Sequence, residues 1–334
     1  MKALVLTGVK RFELQNLSTP TIDSDEVLIN TAYAGVCGTD RDLYAGRPGS
    51  ASAVPPIVLG HENSGIVTAV GPNVTNVQVG DRVAVDPNIY CGQCDYCLTQ
   101  RPEFCEHLSA IGVTRNGGLA EQFAAPATVV YKLPDDVSLR EAAAIEPISC
   151  AVHGVDLLKL HPYQKALVVG DGFIGQLFVQ LLQAYGVHQV DLAGIFDSKL
   201  RRNQELFGAK NIYNTTREAV PENAYDVVVE AVGLPQTEGM AVFAARKGGQ
   251  VLMFGVGSQD ANLEVNTYDI YKKQLTIQGS FINPLTFRDA IALVSSGKMN
   301  VSELISHELE LEDVQDFLDG KVENVSKAVV KIGA

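Results

Sequence analysis

The chain is short of positive charge. Among its 334 residues, 26 are lysine or arginine and 39 are aspartate or glutamate, which gives a formal net charge of −13 and a pI of about 4.9. An acidic surface repels the phosphates of nucleic acids and the anionic headgroups of membranes. The composition therefore argues against nucleic acids and membrane surfaces as partners.

Long hydrophobic runs are also lacking. The apolar start, MKALVLTGVKRFELQ, is too short and too soon interrupted by charge for a signal peptide. The longest nearly apolar stretch, 166–187, contains Asp171, three glutamines and early glycines, which is typical of a strand, a turn and a helix rather than a membrane span. With no export signal, we expect a cytoplasmic protein with reduced thiols.

Cysteine is sparse, yet four of the six cysteines stand in one run, CGQCDYCLTQRPEFC. Two residues separate each of the first three, and seven separate the third from the fourth. Four thiolates at this spacing can wrap one tetrahedral Zn²⁺, and a closed four-sulfur shell is a structural site. Two disulfides are the alternative, but they need an oxidising compartment. The run therefore predicts a structural zinc held by Cys91, Cys94, Cys97 and Cys105.

The rhythm of the sequence changes near residue 150. Before it, short alternating segments and dense turn signals predict a mostly antiparallel, barrel-like β domain. After it, short buried strands alternate with helices, which indicates a doubly wound parallel sheet. The last thirty residues return to strand-like pieces. We expect an α/β protein in which a cofactor domain, 151–284, is inserted into a domain formed by 1–150 plus 285–334.

The second region opens with a glycine-rich, phosphate-binding pattern. Gly170-Asp-Gly172-Phe173-Ile174-Gly175 lies between a buried strand and an amphipathic helix. Its glycines permit a tight turn, close approach to a pyrophosphate and close packing of helix on strand, and the helix N-terminus attracts phosphate. A plain tight turn is the alternative interpretation. The context favours a dinucleotide site.

The acidic residue that reads the adenosine ribose is missing or displaced. It belongs about 20 residues beyond the glycines, but Gly194 stands nineteen residues past Gly175. Asp197 either accepts from the ribose hydroxyl, which favours NAD, or caps the next helix. In the second case a 2′-phosphate, and hence NADP, meets polar and basic residues of that helix: Ser198, Lys199, Arg201 or Arg202. A solvated charge run is the third alternative. We expect NAD, because Asp197 stands at the strand's end.

A second set of zinc-competent side chains is scattered through the first region. Cys37 stands in AGVCGTD, His61 and Glu62 stand in LGHENSG, and Glu146 stands in AIEPISC. Cysteine, histidine and glutamate all bind zinc, but by spacing alone each residue is weak evidence. A lone cysteine in an apolar stretch is usually core, and a lone His-Glu pair usually lies on the surface. Their significance comes from their occurrence beside the other two motifs.

Together these motifs resemble the zinc-dependent medium-chain dehydrogenase family, over essentially the whole chain and in the family's order. The matching motifs are Cys37-Gly-Thr-Asp40, Gly60-His-Glu-x-x-Gly65, the four-cysteine run and Gly170-x-Gly-x-x-Gly175. Glu146-Pro147, where the alcohol dehydrogenase branch carries a cysteine, is similar to the sorbitol and polyol dehydrogenase branch. The resemblance implies a GroES-like, mostly β catalytic domain with both zinc sites, and a Rossmann cofactor domain.

The resemblance also implies individual roles. Thr39 would hydrogen-bond the substrate hydroxyl and start its proton toward solvent, Asp40 would fix the tautomer of a histidine ligand, and Tyr44 would line the substrate pocket. Asp42 stands where some members carry a proton-relaying histidine, so the relay beyond Thr39 stays open. Cys37 and His61 would bind a catalytic zinc directly, and Glu62 and Glu146 would be its carboxylate ligands, one of them through water or only in some states.

The implied activity is hydride transfer between a secondary alcohol, a polyol or polyol phosphate, and NAD or NADP. An amino-alcohol or simple alcohol dehydrogenase, of threonine or butanediol type, is the alternative within the enzymes. A non-enzymatic cofactor-binding protein on the same fold is a further alternative, although the completeness of the implied zinc site stands against it. The family's usual oligomers imply a homodimer or homotetramer paired through the cofactor domain.

Overall fold

A computed structural model describes residues 1–333, which form two compact units. The first unit comprises 1–149, 284–296 and the segment from Val301 onward, and the second comprises 150–283 and 297–300. Along the chain, the second unit is thus inserted into the first. The sequence-based boundaries, 150/151 and 284/285, differ from these by one residue, and 297–300 were not expected in the second unit.

Strands and helices are numbered here in chain order over the described residues. The strands are β1 (Lys2–Gly8), β2 (Arg11–Asn16), β3 (Glu26–Val36), β4 (Ile57–Val58), β5 (Glu62–Val70), β6 (Arg82–Val85), β7 (Asn88–Ile89), β8 (Ser109–Ala110), β9 (Gln122–Pro126), β10 (Val130–Lys132), β11 (Lys165–Val169), β12 (Gln189–Gly194), β13 (Ile212–Asn214), β14 (Tyr225–Glu230), β15 (Ala245–Met253), β16 (Thr276–Gly279), β17 (Ile305–Leu309) and β18 (Lys327–Lys331). The helices are α1 (Gly38–Tyr44), α2 (Asp95–Leu98), α3 (Leu139–Ala142), α4 (Ile145–Asp156), α5 (Phe173–Ala184), α6 (Asp197–Arg202), α7 (Pro235–Ala244), α8 (Thr267–Lys273), α9 (Phe287–Ser295), α10 (Val301–Leu304) and α11 (Val314–Leu318). Within residues 1–333, no helix has the length and apolar character needed to cross a bilayer.

The first unit is built on a seven-stranded sheet in the order β10-β6-β5-β3-β18-β17, with β9 also paired to β3. Its pairs are antiparallel except for β17 with β18. The register places Gly35 of β3 opposite Glu62 of β5, and Val36 of β3 opposite Ala328 of β18. The carboxyl end of β3 is therefore flanked by an early strand and by the last strand of the chain.

The second unit is a six-stranded sheet, parallel throughout, in the order β13-β12-β11-β14-β15-β16. Its inner strands carry continuous apolar runs such as Leu-Val-Val in β11 and Val-Val-Val in β14, because both faces of a parallel sheet are covered. Counted within the unit, the order is 3-2-1-4-5-6, which is characteristic of dinucleotide-binding sheets. The order reverses between β11 and β14, and a ligand crevice is expected at the carboxyl ends of strands at that point.

Helix α5 packs against β11 and β12 and is buried nearly all round. Two of its glutamines bond to other parts of the unit. Gln176 donates to the backbone oxygen of Asp171 over 3.1 Å, and the Gln180 side-chain oxygen accepts from Asn300 N over 2.7 Å. The start of the helix is therefore joined to the glycine pattern that precedes it.

Candidate functional site

Three metal-competent side chains of the first unit meet at the carboxyl end of β3. The Cys37 Sγ lies 3.1 Å from the His61 Nε2. The ligand atoms of Cys37, His61 and Glu62 all lie within 4.8 Å of one another. Cys37 is half-buried, whereas His61 and Glu62 are 6% and 1% exposed. The pairing of β3 with β5 brings these residues together across 24 positions of sequence.

The CGTD motif forms a local structure that orients its own side chains. Cys37 is the N-cap of α1, and its Sγ accepts a hydrogen bond from Thr39 N over 3.3 Å. Asp40 reaches back and accepts from Cys37 N over 3.0 Å, which completes a capping box. The other carboxylate oxygen of Asp40 lies 3.4 Å from the Nδ1 of His61. The arrangement fits the predicted role of Asp40 as the partner of a histidine ligand.

The group attracts positive charge. Burial by itself lowers the pKa of His61, but the Cys37 thiolate and the Asp40 carboxylate raise it well above 6.5. Burial by itself raises the pKa of Asp40, yet His61 and the Cys37 N–H bring it below its usual range. Cys37 and Asp40 therefore favour a positive charge on the His61 ring.

Lys327 is part of this group and was missed by the sequence analysis. It is 3% exposed at the start of β18, and its ammonium group forms an ion pair with the Glu62 carboxylate and donates to Val36 O over 3.2 Å. Burial by itself lowers the pKa of Lys327, but the charges of Glu62, Cys37 and Glu146 raise it above 10.5. The only signal in the sequence is a lysine that opens an apolar strand, and this does not reveal its partner.

Glu62 of β5 is paired with Gly35 of β3, a position at which only glycine fits. A Cβ on Gly35, its cross-strand partner, would collide with the Glu62 carboxylate. The Glu62 Oε1 is buried and has no hydrogen-bond partner among the described residues. An orphaned carboxylate oxygen beside a thiolate and an imidazole fits a Zn²⁺ ligand set.

Glu146, the fourth predicted ligand, stands in the first turn of α4. It is half-buried and lies outside the group of three. Its charge nevertheless acts on Lys327. The structure therefore places Glu146 near the cluster but does not join it to the other three.

Thr39 and Tyr44 both lie on α1, but their environments differ. Thr39 is half-buried beside Cys37. Tyr44 is 2% exposed, stacks on Phe12 at 5.2 Å, and donates to Lys10 O and to Asp319 over 3.1 and 3.0 Å. Burial and the Asp319 carboxylate raise the pKa of Tyr44 to about 12. These contacts give Tyr44 a core position, which argues against the predicted role on a pocket wall.

The four clustered cysteines form a second group. Their sulfur atoms all lie within 4.8 Å of one another, and those of Cys91 and Cys97 are 3.9 Å apart. A tetrahedral zinc with Zn–S bonds of about 2.3 Å requires sulfurs roughly 3.8 Å apart. Backbone N–H groups of Cys97 and Glu106 lower the pKa of Cys94 to about 6, whereas burial and the other thiols raise that of Cys97 to about 12. Crowded sulfurs of this kind fit a four-thiolate zinc site.

The glycine pattern of the second unit follows β11 and opens α5. Gly170 has φ +125°, a conformation that favours glycine. A Cβ on Gly175 would collide with the Gly170 oxygen, so the helix could not approach the strand as closely. A Cβ on Gly172 would meet nothing within 4 Å, which leaves open space above the helix N-terminus. Phe173 and Ile174 begin the helix. The loop has the geometry of a pyrophosphate cradle.

The side chains expected to read the ribose are engaged elsewhere. Asp197 accepts from Asn214 over 2.7 Å and pairs with Arg217, and these contacts keep its pKa below the usual range. The ammonium of Lys199 lies 5.0 Å from the ring centre of Phe196, and the Arg202 guanidinium lies 6.0 Å from that of Phe207. These contacts support neither the proposed NAD role of Asp197 nor the NADP role of the basic residues.

Replacing Lys327 by methionine should destabilise the protein strongly. The Glu62 carboxylate would stay buried without its partner, and breaking a buried ion pair in this way costs about 3–5 kcal/mol. Urea unfolding measures the loss. The matched control is Lys321→Met, whose pair with Asp316 has side chains that are both 61% exposed and should contribute less than about 1 kcal/mol. Equal losses in the two variants would show that the Lys327 pair contributes little.

Metal content separates the two cysteine groups. We expect about two zinc ions per purified chain by elemental analysis, one for each group. Cys94→Ser should remove one and lower the unfolding midpoint, because closed zinc sites contribute folding energy. Cys37→Ala should remove the other, and Cys150→Ser, outside both groups, should remove none. Metal-free wild-type protein grown with zinc would contradict both sites.

Comparison with known proteins agrees with this geometry. The family profile described as Alcohol dehydrogenase GroES-like domain matches residues 23–135, and that described as Zinc-binding dehydrogenase matches 174–296. D-arabinitol dehydrogenase 1 of Uromyces fabae is 33% identical over 96% of this chain and 93% of its own length. A protein of Sinorhizobium meliloti 1021 described as a zinc-binding dehydrogenase, solved bound to NADP, superposes with a TM-score of 0.94 at 32% identity, covering 99% of this chain and 98% of that one. Galactitol-1-phosphate dehydrogenase of Escherichia coli superposes with a TM-score of 0.89 at 28% identity, covering 99% and 100%. The chain therefore belongs to the zinc-dependent medium-chain dehydrogenases, a family of oxidoreductases, and is similar to the polyol dehydrogenases among them.

Proposed function

We propose that this chain interconverts a secondary alcohol of polyol type, or its phosphate, with the corresponding ketone by hydride transfer to or from NAD(P). The observation that carries the proposal is the contact of 3.1 Å between the Cys37 Sγ and His61 Nε2, with buried Glu62 beside it. A thiolate, an imidazole and a carboxylate form a zinc set that leaves room for a further ligand, as catalytic zinc sites do.

In this proposal the first unit is the catalytic domain. Cys37 and His61 would hold a catalytic Zn²⁺ directly, and Glu62 and Glu146 would be its carboxylate ligands, one of them through water or only in some states, which leaves a position for the alcohol. When bound there, Zn²⁺ supplies Lewis acidity, which makes an alcohol hydroxyl easier to deprotonate. The half-buried Thr39 accepts a hydrogen bond from the substrate hydroxyl, and as its oxygen takes that proton it releases its own hydroxyl proton toward solvent.

The surrounding residues hold this set in place. Asp40 holds the Nδ1 side of His61 and so presents Nε2 toward Cys37. Lys327 holds the Glu62 Oε2 and leaves Oε1 available as a ligand atom. The cluster of four cysteines, Cys91, Cys94, Cys97 and Cys105, holds a structural Zn²⁺.

The second unit is the cofactor domain in this proposal. Its glycine loop, Gly170 to Gly175 with Phe173 and Ile174, binds the pyrophosphate at the N-terminus of α5. The nicotinamide supplies the acceptor for the hydride. Support comes from the strand order of the sheet and from the open space above Gly172.

Polyols are favoured as substrates because of the relatives. The curated relative from Uromyces fabae is named for D-arabinitol, and the structural neighbour from Escherichia coli is named for galactitol 1-phosphate. Glu146 in place of a cysteine points to the same branch. A dehydrogenase of simple alcohols or amino alcohols is the second candidate.

We infer that the protein acts in the cytoplasm as a homo-oligomer. All six cysteines are free thiols, which suits a reducing compartment. Strand β16 is the edge of the parallel sheet, and three of its four residues, including Ile277, are exposed. An uncovered edge strand presents unpaired backbone N–H and C=O groups, which are a ready template for pairing with a second copy. Recovery of the protein in a secreted fraction would contradict the location.

A substrate panel tests the activity. We expect coenzyme reduction, followed at 340 nm, with at least one of a set of sugar alcohols and their phosphates. Cys37→Ala should abolish it, and Thr39→Val should lower kcat/KM by about 10²-fold, since a positioned proton-transfer group contributes about that much. Thr19→Val, an exposed threonine, should leave it unchanged. A zinc-loaded protein that reduces neither coenzyme with any alcohol would refute the proposal.

A charge on the edge strand tests the assembly. Ile277→Lys should shift the sedimentation coefficient from that of an oligomer to that of a monomer, because a lysine on an edge strand disfavours pairing. Val54→Lys, at an exposed position of the first unit, is the control and should not shift it. A monomeric wild-type protein, or no difference between the two variants, would rule out β16 as the contact.

A further inference from the structure

The strand that should carry the ribose-reading acid ends in glycine. Strand β12 ends at Gly194, and a Cβ built there would lie 2.5 Å from the Asp171 Cβ and 2.6 Å from its Cγ. The Asp171 side chain therefore occupies the space in which a side chain at position 194 would begin. Asp171 comes from the glycine loop, directly after β11.

The Asp171 carboxylate is fixed in that space. It is 7% exposed, and its Oδ2 accepts from Ile195 N over 2.8 Å and from Phe196 N over 2.7 Å. These two N–H groups belong to the turn between β12 and α6, and each donates to the carboxylate. The two N–H groups therefore already have an anionic partner, and both donate to the same oxygen of Asp171. A carboxylate has about four acceptor positions, so capacity remains for a ligand hydroxyl.

The other charged groups named for this site interact with protein groups: the charge of Arg201, which is exposed, acts on Asp197. Asp197 is held by Asn214 and Arg217, and Lys199 and Arg202 lie over aromatic rings. The residues after Gly194 are Ile195 and Phe196, which are about half exposed and carry no cation for a phosphate. Asp171 is therefore the charge that a ribose bound at the end of β12 would meet.

We infer that Asp171 selects the coenzyme: its carboxylate replaces the missing acid of β12, accepts from the adenosine ribose 2′-hydroxyl of NAD, and repels the 2′-phosphate of NADP. The inference rests on the proposed function and deepens it. It assigns to the phosphate loop a choice that the dinucleotide pattern normally leaves to the second strand.

The test is the ratio of dissociation constants for NADP⁺ and NAD⁺, measured by calorimetry on the zinc-loaded protein without substrate. Calorimetry is suitable because the chain has no tryptophan to report binding by fluorescence. We expect wild-type protein to bind NAD⁺ at least about tenfold more tightly, since a like charge facing a phosphate costs that much or more. Asp171→Asn, which keeps the shape and removes the charge, should lower the ratio by about tenfold.

Two further variants make the result specific. Asp197→Asn should leave the ratio within about twofold, because the Asp197 carboxylate is already bound by Asn214 and Arg217. The double variant D171G/G194D moves the acid back to the strand. It should show the preference for NAD⁺ that Asp171→Asn is expected to lose. Glycine is needed at 171 in this variant, because the Asp171 Cβ lies where a Cβ at 194 would be.

Several outcomes overturn the inference. If Asp171→Asn weakened the binding of NAD⁺ and NADP⁺ equally, Asp171 would only hold the loop against the strand. The dehydrogenase proposal would then stand, and the inference would fail. A drop of the ratio in Asp197→Asn alone would make Asp197 the selecting residue. A wild-type preference for NADP⁺ would also refute it. If the wild type bound neither coenzyme, both the inference and the proposed function would fail.

Discussion

The burial of four ionisable side chains as one group, Asp40, His61, Glu62 and Lys327, beside the half-buried Cys37 is the constraint on which the first unit depends. Burying a charge costs several kcal/mol unless an opposite charge and hydrogen bonds compensate for it. Here Glu62 and Lys327 compensate each other, and His61 stands between Cys37 and Asp40. Because Lys327 lies in the last strand, the pairing of β18 with β3 supplies the partner with which Glu62 is buried. The zinc-competent site is thus a product of the whole unit.

The same atoms serve the fold and the chemistry. The Cys37 Sγ caps α1 and also faces His61, and Asp40 both closes the capping box and holds the imidazole. A ligand set whose side chains are already oriented by hydrogen bonds loses little entropy when a metal binds. The Glu62 Oε1 is the least satisfied atom of the group, and it lies beside the ligand atoms of the other two residues.

In the second unit, close backbone approach and a buried carboxylate act together. Gly175 allows α5 to lie against the Gly170 carbonyl, and Gly194 leaves the space that Asp171 enters. The carboxylate of Asp171 then joins the first loop to the end of β12 through two N–H groups. An acid displaced from strand to loop keeps its negative charge near the same place, which is why a departure from the usual pattern need not change the coenzyme.

Features that depend on short separations were accessible from the sequence. Three of the four clustered cysteines are three positions apart, so a local turn and the short helix α2 suffice to bring their sulfurs together, and the glycine loop needs only the strand before it and the helix after it. The alternation of strand and helix likewise indicated the parallel sheet, because its apolar runs are local. By contrast, the grouping of Cys37 with His61 and Glu62 was expected only from family resemblance.

What the sequence by itself determined was therefore the class of fold, the four-cysteine site and the phosphate loop. Tertiary structure decided which charges are buried together: it placed Lys327 against Glu62, turned Tyr44 into the core, and put Asp171 where Gly194 leaves room. The physical reason is that burial and strand register arise from contacts between residues far apart in the chain. A shift of one position in the pairing of β3 with β18 would turn Lys327 to the opposite face of the sheet.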